Sequence, residues 1–237
     1  MTRRRWIADE VSGNRASLTG AHADHLARVL RARVGHEFDI VANGVLHRGR
    51  VAQILDRRVE FELGEVIPAE TAPVQLTLVL AIFKFDRMEW AIEKCSELGV
   101  TRMVPVTARR TDAHLASAAP KRVDRWRRIA LQASEQSRRR SPPEISNPVR
   151  LGDILGISAK LKIVLSEAED QCQLHDLDLA GDDEVLLAIG PEGGWTGEEL
   201  EMFDKRGWLA ASLGLTILRV ETAAIAATAI TMASLGR

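Results

Sequence analysis

Residues 184–199, EVLLAIGPEGGWTGEE, decide the fold. Residues 184–189 have the length of a strand and are apolar from Val185 onward, and a glycine-rich loop follows from Gly190 to Trp195. Thr196 and Glu199 then have the spacing of a capping box, so we expect a helix to begin directly after the loop. A strand, a loop and a helix in this order are typical of α/β proteins, whose ligands bind at the carboxyl ends of the strands.

The same alternation of strands and helices extends over residues 74–237. The predicted strands are residues 75–82, 100–106, 161–165, 184–189 and 208–213. The predicted helices are one capped by Asp86 and ended by Gly99, a basic helix over 120–138, one from Thr196 to Gly207, and a last one over 220–235. This pattern predicts an α/β domain with a mostly parallel sheet and helices on both faces.

A different organisation precedes residues 68–73, where two prolines mark a domain boundary. Asn43-Gly44 predicts a hairpin turn between strands over 37–41 and 45–55. One helix is predicted over 22–33, with Leu26, Val29 and Leu30 on its inner face. We therefore predict a small β-barrel with one helix over residues 1–70 and the α/β domain over residues 74–237.

The distribution of charge predicts a nucleic-acid partner. The 237-residue chain has a net charge of −1, but residues 1–150 carry 26 Lys and Arg against 18 Asp and Glu. Residues 151–237 carry 6 basic and 15 acidic residues, so the positive charge is confined to the first part of the chain. GC-rich coding can also explain a high arginine content, but it does not explain why the basic residues are concentrated in the first part of the chain. A basic surface on one side is typical of proteins that bind a polyanion.

Other classes of site and partner are disfavoured. Cys95 and Cys172 are too few for a disulfide framework and lack the spacing of a zinc site. His22 and His25 have no further ligands nearby in sequence, so we predict no metal. The most apolar segment, residues 222–235, is too short to cross a bilayer and is interpreted as a buried or interface helix. We expect a cytoplasmic protein without a membrane partner.

Two loops are candidates for ligand binding, the glycine-rich loop over 190–195 and the apolar loop over 213–219. Glycines allow close approach of the main chain, and the helix that follows presents free N–H groups. An apolar loop suits an adenine ring and a methionine tail, which favours S-adenosylmethionine over ATP or NAD. The glycine-rich loop lacks the P-loop and dinucleotide fingerprints, and a purely structural glycine turn remains an alternative.

Several stretches together resemble a known family. They are residues 190–195 paired with 213–223, Lys94–Val100 within 84–100, Arg125-Trp126, residues 135–137, and residues 25–31. This combination resembles the RsmE family, the 16S rRNA (uracil-N3)-methyltransferases of the SPOUT class. Two positions depart from the family pattern: Arg138 stands where the family usually has glycine, and Trp195 stands where it usually has phenylalanine.

The resemblance implies a C-terminal SPOUT domain with a trefoil knot, an N-terminal PUA-like β-barrel that binds RNA, and a homodimer formed through the last helix of the C-terminal domain. It implies methylation of N3 of one uridine of 16S rRNA in the small ribosomal subunit, uridine 1498 in rRNA numbering. S-adenosylmethionine would lie among three loops; the implied cofactor-binding residues are Leu165, Ser166, Gly190, Pro191, Gly193, Gly194, Leu213, Gly214 and Leu218. The implied RNA-binding residues are Arg3, Arg4, Arg5, Arg28, Arg31, Gln136 and Arg138.

Methylation at N3 also requires stabilisation of negative charge on the uracil ring, because the N3 proton must leave. Our hypothesis is that Arg139 and Arg219 stabilise the uracil oxygens or a backbone phosphate. Glu192 is either the proton acceptor or an acceptor that holds its own loop. Two other functions remain open: a non-catalytic RNA-binding factor, and a methyltransferase that acts on tRNA or on a ribose 2′-oxygen.

Overall fold

The computed structural model describes residues 5–68, 75–179 and 184–235. The chain divides into two compact units. The first unit comprises Met1–Ala72 together with Ser134–Pro142, and the second comprises Pro73–Ala133 together with Pro143–Arg237. The predicted RNA-binding residues Arg3 and Arg4 lie outside the described residues.

The first unit is built on a curled six-stranded sheet. Its strands are β1 (Arg5–Ile7), β2 (Glu10–Ser12), β3 (Arg15–Thr19), β4 (Glu37–Ala42), β5 (Val45–Leu55) and β6 (Arg58–Ile67), in the order β1-β4-β5-β6-β3-β2. β1 runs parallel to β4, and the other pairs are antiparallel. The segment between β1 and β2 pairs with β4 near one end of this order and with β3 near the other. The Ala8 N–H donates to the Val41 carbonyl in β4, and the Asp9 N–H donates to the Ser17 carbonyl in β3. The sheet therefore curls into a partial barrel.

The predicted hairpin in this sheet is confirmed. Asn43 and Gly44 connect β4 to β5, and their φ angles are 50° and 77°. Two successive positive φ angles are the feature of a type I′ turn, whose twist matches that of the paired strands. Trp6, Leu18, Ile40 and Phe61 fill the core of this unit from four of its strands.

The helix predicted over residues 22–33 is shorter and wound differently. An α-helix, α1, covers Gly20–Asp24, and a π-helix covers His25–Val29. In the π-helix the Leu30 N–H bonds to His25, five residues back, so the spacing of side chains departs from the α-helical period. Leu26 is buried as predicted, but Val29 and Leu30 are 64% and 45% exposed, and their predicted inward placement is wrong.

The second unit is an α/β fold, as predicted. Its strands are β7 (Gln75–Ala81), β8 (Arg102–Thr107), β9 (Glu144–Ile145), β10 (Val149–Arg150), β11 (Leu161–Leu165), β12 (Glu184–Ile189) and β13 (Leu209–Ala211). They pair in parallel in the order β10-β8-β7-β12-β11-β13, and β9 also pairs with β8. The helices are α2 (Phe85–Leu98), α3 (Ala113–Ala118), α4 (Val123–Gln136), α5 (Leu151–Ile154), α6 (Gly197–Asp204) and α7 (Val220–Ser234). Short 3₁₀ turns cover Ala119–Arg122 and Leu174–Asp176.

Both faces of this sheet are buried. Along β7, Leu76, Leu78 and Leu80 enter one apolar cluster, whereas Val79 and Ala81 enter another. The first cluster includes side chains of α2, α4 and α7, and the second includes side chains of α5 and α6. Alternate residues of one strand therefore meet helices on opposite faces, as expected for a parallel sheet. Within the described residues, no helix is both long and apolar enough to cross a membrane.

Helix boundaries were predicted with mixed success. The capping box of Thr196 and Glu199 is confirmed at the start of α6. Helix α2 begins two residues earlier than predicted, with Lys84 at the cap, and Asp86 lies in its first turn rather than at the cap. Pro120 lies in a 3₁₀ turn, so the long basic helix begins at Val123 and not at the proline.

The carboxyl end of α4 forms a Schellman motif. The Arg139 N–H bonds to the Ser134 carbonyl at 2.8 Å, and the Arg138 N–H bonds to the Glu135 carbonyl at 3.4 Å. Arg138 has a φ angle of 61°, the left-handed conformation that this motif requires at that position. The structure thus explains why glycine suits this position and shows that the arginine adopts the same backbone conformation.

Candidate functional site

Three loops meet at the carboxyl ends of neighbouring parallel strands in the second unit. They follow β11, β12 and β13, which lie side by side in the order β12-β11-β13. Together they enclose a cavity of about 190 Å³, which we call the loop cavity. Its lining residues are Leu165, Ser166, Glu167, Ala168, Ile189, Gly190, Pro191, Glu192, Gly194, Trp195, Leu200, Ser212, Leu213, Gly214, Leu215, Thr216, Ile217, Leu218, Val220 and Ala223.

The sequence-predicted cofactor residues lie in this wall with one exception. Leu165, Ser166, Gly190, Pro191, Gly194, Leu213, Gly214 and Leu218 line the loop cavity. Gly193 does not, because its α-carbon faces the side chain of Arg110, which also donates a hydrogen bond to the Gly193 carbonyl. Arg110 follows β8, so it holds the glycine-rich loop from outside the cavity.

The glycine-rich loop is shaped by two close approaches. A Cβ on Gly194 would lie 2.8 Å from Oε1 of Glu167, and the φ angle of this residue is 70°. A Cβ on Gly190 would lie 3.2 Å from Nε1 of Trp195. At both positions an added methyl group would require a neighbouring side chain to move, and at Gly194 the positive φ angle itself favours glycine.

Trp195 connects two of the three loops. Its indole is 7% exposed and packs edge-on against Phe203 of α6, with 5.0 Å between the ring centroids. Nε1 donates a hydrogen bond to the Leu165 carbonyl at the end of β11. The glycine-rich loop is thereby fixed both to α6 and to the neighbouring strand end.

The charged groups of the loop cavity are carboxylates. Among the described residues that line it, Glu167 and Glu192 are the only acidic or basic ones. Glu192 accepts a hydrogen bond from Nη1 of Arg87 at 3.1 Å, and Nε of Arg87 lies 3.7 Å from the buried Glu221. Arg87 was missed by sequence reasoning. The position of Arg87 shortly after β7 could have identified it, because the carboxyl end of β7 lies next to that of β12, which carries the glycine-rich loop.

The predicted catalytic residues fall in different units. Glu192 and Arg219 belong to the second unit, where both line a second recess that adjoins the loop cavity. Arg139 belongs to the first unit, in the segment after α4. Burial lowers the pKa of the Arg139 guanidinium to about 10, which leaves it charged at neutral pH.

The described RNA-binding candidates all belong to the first unit. Arg5 lies in β1 and donates a hydrogen bond to the carbonyl of Arg138. Arg28 lies in the π-helix and is 73% exposed, Arg31 follows that helix, and Gln136 is the last residue of α4. The described residues contain no group of three or more His, Cys, Asp or Glu side chains arranged to hold a metal ion.

His22 lies between two carboxylates in the same unit. Nδ1 is 3.6 Å from Asp9, and Nε2 is 3.4 Å from Glu135, whose side chain is 1% exposed. Burial raises the pKa of the Asp9 carboxyl, but hydrogen bonds from His22 and Thr19 outweigh this effect and hold the pKa below its usual value. His22 thus lies between Ser134–Pro142 and the β1–β2 connection, and it forms an ion pair with each carboxylate when its ring is protonated.

Comparison with known proteins identifies the family to which the chain is similar. The sequence profile of a family described as "RNA methyltransferase domain" matches residues 70–232. Ribosomal RNA small subunit methyltransferase E of Aquifex aeolicus is 28% identical over 96% of this chain and 98% of its own length. The protein of the same name from Mycobacterium bovis is 31% identical over 91% of this chain and 85% of its own length.

A solved structure shows similarity over the whole chain. The crystal structure of a ribosomal RNA small subunit methyltransferase E from Neisseria gonorrhoeae, bound to S-adenosyl methionine, superposes with a TM-score of 0.86. It is 29% identical, and the match covers 99% of this chain and 98% of that one.

Proposed function

Because the chain belongs to the ribosomal RNA small subunit methyltransferase E family of RNA methyltransferases, we propose that it methylates N3 of a specific uridine in 16S rRNA, with S-adenosylmethionine as methyl donor. The observation that carries this proposal is the loop cavity at three neighbouring strand ends. Its wall combines glycine backbone with apolar side chains, which suits an adenosine and a methionyl chain.

The charges of the loop cavity favour a cation-bearing cofactor. ATP or NAD would bring phosphates beside the carboxylates of Glu167 and Glu192, and no basic side chain lines the described cavity to offset them. S-adenosylmethionine instead supplies, when bound, a methyl group activated by a positively charged sulfur. The two carboxylates of the loop cavity therefore fit a cofactor with a positive charge.

Main-chain groups and apolar side chains of the three loops hold the cofactor in this proposal. The residues concerned are Leu165, Ser166, Gly190, Pro191, Gly194, Leu213, Gly214 and Leu218. Gly193 affects cofactor binding indirectly in this proposal, because its contact with Arg110 fixes the shape of the glycine-rich loop. The trefoil knot stays a prediction from the family resemblance.

Residues of the chain also stabilise the negative charge on the uracil ring in this proposal. The N3 proton must leave before or while the N3–methyl bond forms and the carbon–sulfur bond breaks, and the negative charge that proton loss puts on N3 and the ring oxygens must be stabilised. In our proposal Arg219, at the start of α7, and Arg139 stabilise this negative charge on the uracil oxygens or bind a backbone phosphate. Glu192 either accepts the proton or keeps its loop in place through Arg87.

The first unit is proposed to bind the rRNA backbone through Arg3, Arg4, Arg5, Arg28, Arg31, Gln136 and Arg138. Exposed guanidinium groups such as that of Arg28 suit phosphate contacts. We also propose a homodimer through α7, because this helix is mostly apolar and its Ile225, Ile230 and Met232 are only partly buried. A cytoplasmic location follows from the proposed rRNA substrate.

Mass analysis of 16S rRNA from a deletion strain tests the reaction. We expect loss of the methyl group from one N3-methyluridine, and its return when the gene is restored. An unchanged N3-methyluridine together with a methyl lost from tRNA or from a ribose 2′-oxygen would contradict the proposal. Calorimetry with S-adenosylmethionine separates an enzyme from a non-catalytic RNA-binding factor, because only the enzyme requires this ligand.

The Glu192→Gln variant tests the role of the carboxylate. If Glu192 accepts the proton, the rate falls by roughly two to four orders of magnitude and its pH dependence changes. A near-normal rate with an unchanged pH profile would assign Glu192 to holding the loop.

A further inference from the structure

A second recess opens beside the loop cavity in the same unit. It has a volume of about 380 Å³ and is lined by Lys84, Arg87, Glu192, Ile217, Leu218, Arg219 and Val220; we call it the basic recess. Glu192, Ile217, Leu218 and Val220 line both spaces. A molecule in the basic recess would therefore lie next to one in the loop cavity.

The charges of the basic recess favour an anion. Lys84, Arg87 and Arg219 supply three positive charges, against the carboxylate of Glu192 in the wall and that of the buried Glu221 behind Arg87, so one positive charge is in excess. Lys84 and Arg219 are also the residues at which α2 and α7 begin. The positive ends of two helices of 14 and 15 residues therefore add to the positive potential of the side chains.

Arg87 is held in place from its buried side. Its Nε lies 3.7 Å from Oε1 of Glu221, whose side chain is 4% exposed, and its Nη1 lies 3.1 Å from Glu192. A guanidinium has five N–H donors, so these two contacts leave donors on Nη2 for a further acceptor. A guanidinium fixed in this way loses little conformational freedom when it binds an anion.

We propose that the basic recess binds a backbone phosphate next to the target uridine, with Lys84 and Arg87 as its ligands alongside Arg219. This inference rests on the proposed function and deepens it, because it identifies two further residues that contact the substrate. The phosphate anchors the nucleotide at the wall shared with the loop cavity. The base is then directed toward the cofactor, and positioning of this kind supplies much of the rate of a methyl transfer.

Lys84→Gln is the informative variant, since Lys84 is exposed and its side chain makes no capping hydrogen bond at the start of α2. Lys84→Arg keeps the charge, and Lys121→Gln removes the same charge from an exposed 3₁₀ turn outside both spaces. For each protein, three quantities are measured: KM for 16S rRNA in methyl transfer, the salt dependence of 16S rRNA binding with S-adenosylhomocysteine present, and Kd for S-adenosylmethionine.

In Lys84→Gln we expect KM to rise about tenfold and the slope of log K against log salt to become shallower by about 0.7, the loss of one phosphate contact to a single strand. Kd for S-adenosylmethionine stays within about twofold. Lys84→Arg recovers most of both losses, and Lys121→Gln shows neither.

Two results would overturn the phosphate site. One is a Lys84→Gln protein whose KM and salt slope match those of Lys121→Gln. The other is a Lys84→Gln protein that loses affinity for S-adenosylmethionine, which would assign the recess to the cofactor's carboxylate. Absence of methyl transfer by the unmodified protein counts against the proposed function instead, and the salt slopes of RNA binding still decide on the recess.

Discussion

Nε1 of Trp195 lies 3.1 Å from the carbonyl oxygen of Leu165 and donates a hydrogen bond to it, which joins the glycine-rich loop to the end of β11. Phenylalanine, the residue that the family usually has here, lacks this donor. We expect Trp195→Phe to lower the free energy of unfolding by about 1 to 2 kcal/mol, because a carbonyl loses its partner. Affinity for S-adenosylmethionine should fall with it, as measured by calorimetry.

Trp208→Phe is the matched control for this change. Trp208 is 3% exposed and packs against the same Phe203, again with 5.0 Å between ring centroids. Its Nε1 has no hydrogen-bond partner among the described residues. Chemical denaturation should therefore show a smaller loss for Trp208→Phe, and equal losses in the two variants would contradict the role of the hydrogen bond.

Gly194→Ala should distort the glycine-rich loop. The added methyl would meet Oε1 of Glu167, and alanine is strained at a φ angle of 70°. We expect the free energy of unfolding to fall by about 1 to 2 kcal/mol and cofactor binding to weaken. Gly197→Ala is the control, because no atom lies within 4 Å of its Cβ position and the residue begins α6. A tolerated Gly194→Ala would argue against a fixed loop.

Arg138→Gly should stabilise the protein. The residue occupies the left-handed position of the Schellman motif, where a side chain costs about 1 kcal/mol relative to glycine. Thermal or chemical unfolding should show a gain of up to this size. Gln136→Gly, two residues earlier and helical, should have the opposite effect, with a loss of about 1 kcal/mol. If both variants lose stability equally, the motif does not form.

The two cysteines should differ strongly in reactivity. Burial raises the pKa of the Cys95 thiol to about 12, so roughly one molecule in ten thousand carries its thiolate at pH 8. Cys172 is partly exposed. A disulfide reagent at pH 8 should modify one thiol rapidly and the second only after unfolding in guanidinium. Cys172→Ser should abolish the rapid phase, and two rapid phases would show that the core around Cys95 opens readily.

Asp9 should contribute a pH-dependent part of the stability. Its folded-state pKa is depressed, so the stabilisation is fully present above the unfolded-state value near 4 and is lost as the pH falls through the folded-state value. Asp9→Asn should therefore lower stability at pH 7, and the difference should shrink under acid. Asp56→Asn, at a side chain that is 90% exposed, should change stability little at either pH.

Features that depend on neighbouring residues were predictable from the sequence. The Asn43-Gly44 hairpin and the capping box of Thr196 and Glu199 each involve residues within three positions of one another. The alternation of apolar strands with capped helices also predicted the parallel sheet. Parallel strands end at the same edge, so the loops after β12 and β13 were expected at one edge of the sheet, whereas their pairing in one site came from the family resemblance.

Features that depend on distant residues were not predictable in the same way. The π-helix over His25–Val29 departs from the 3.6-residue period on which the prediction of Val29 and Leu30 rested. The pair of Arg87 and Glu192 spans 105 positions, and no local pattern specifies which carboxylate an arginine meets. The period of the apolar residues indicates which side of a helix or strand is buried. It does not indicate which strands are neighbours in the sheet, and that order is what brings Arg87 next to Glu192.

The grouping of Ser134–Pro142 with the first unit has a consequence for synthesis. Arg140 donates hydrogen bonds to the carbonyls of Ile67 and Pro68, and Glu135 approaches His22. All six strands of the first unit leave the ribosome before this segment is made. The nascent chain therefore carries an unfinished barrel while β7, β8 and most of α4 are translated, so the first unit can be completed only after translation of the second has begun.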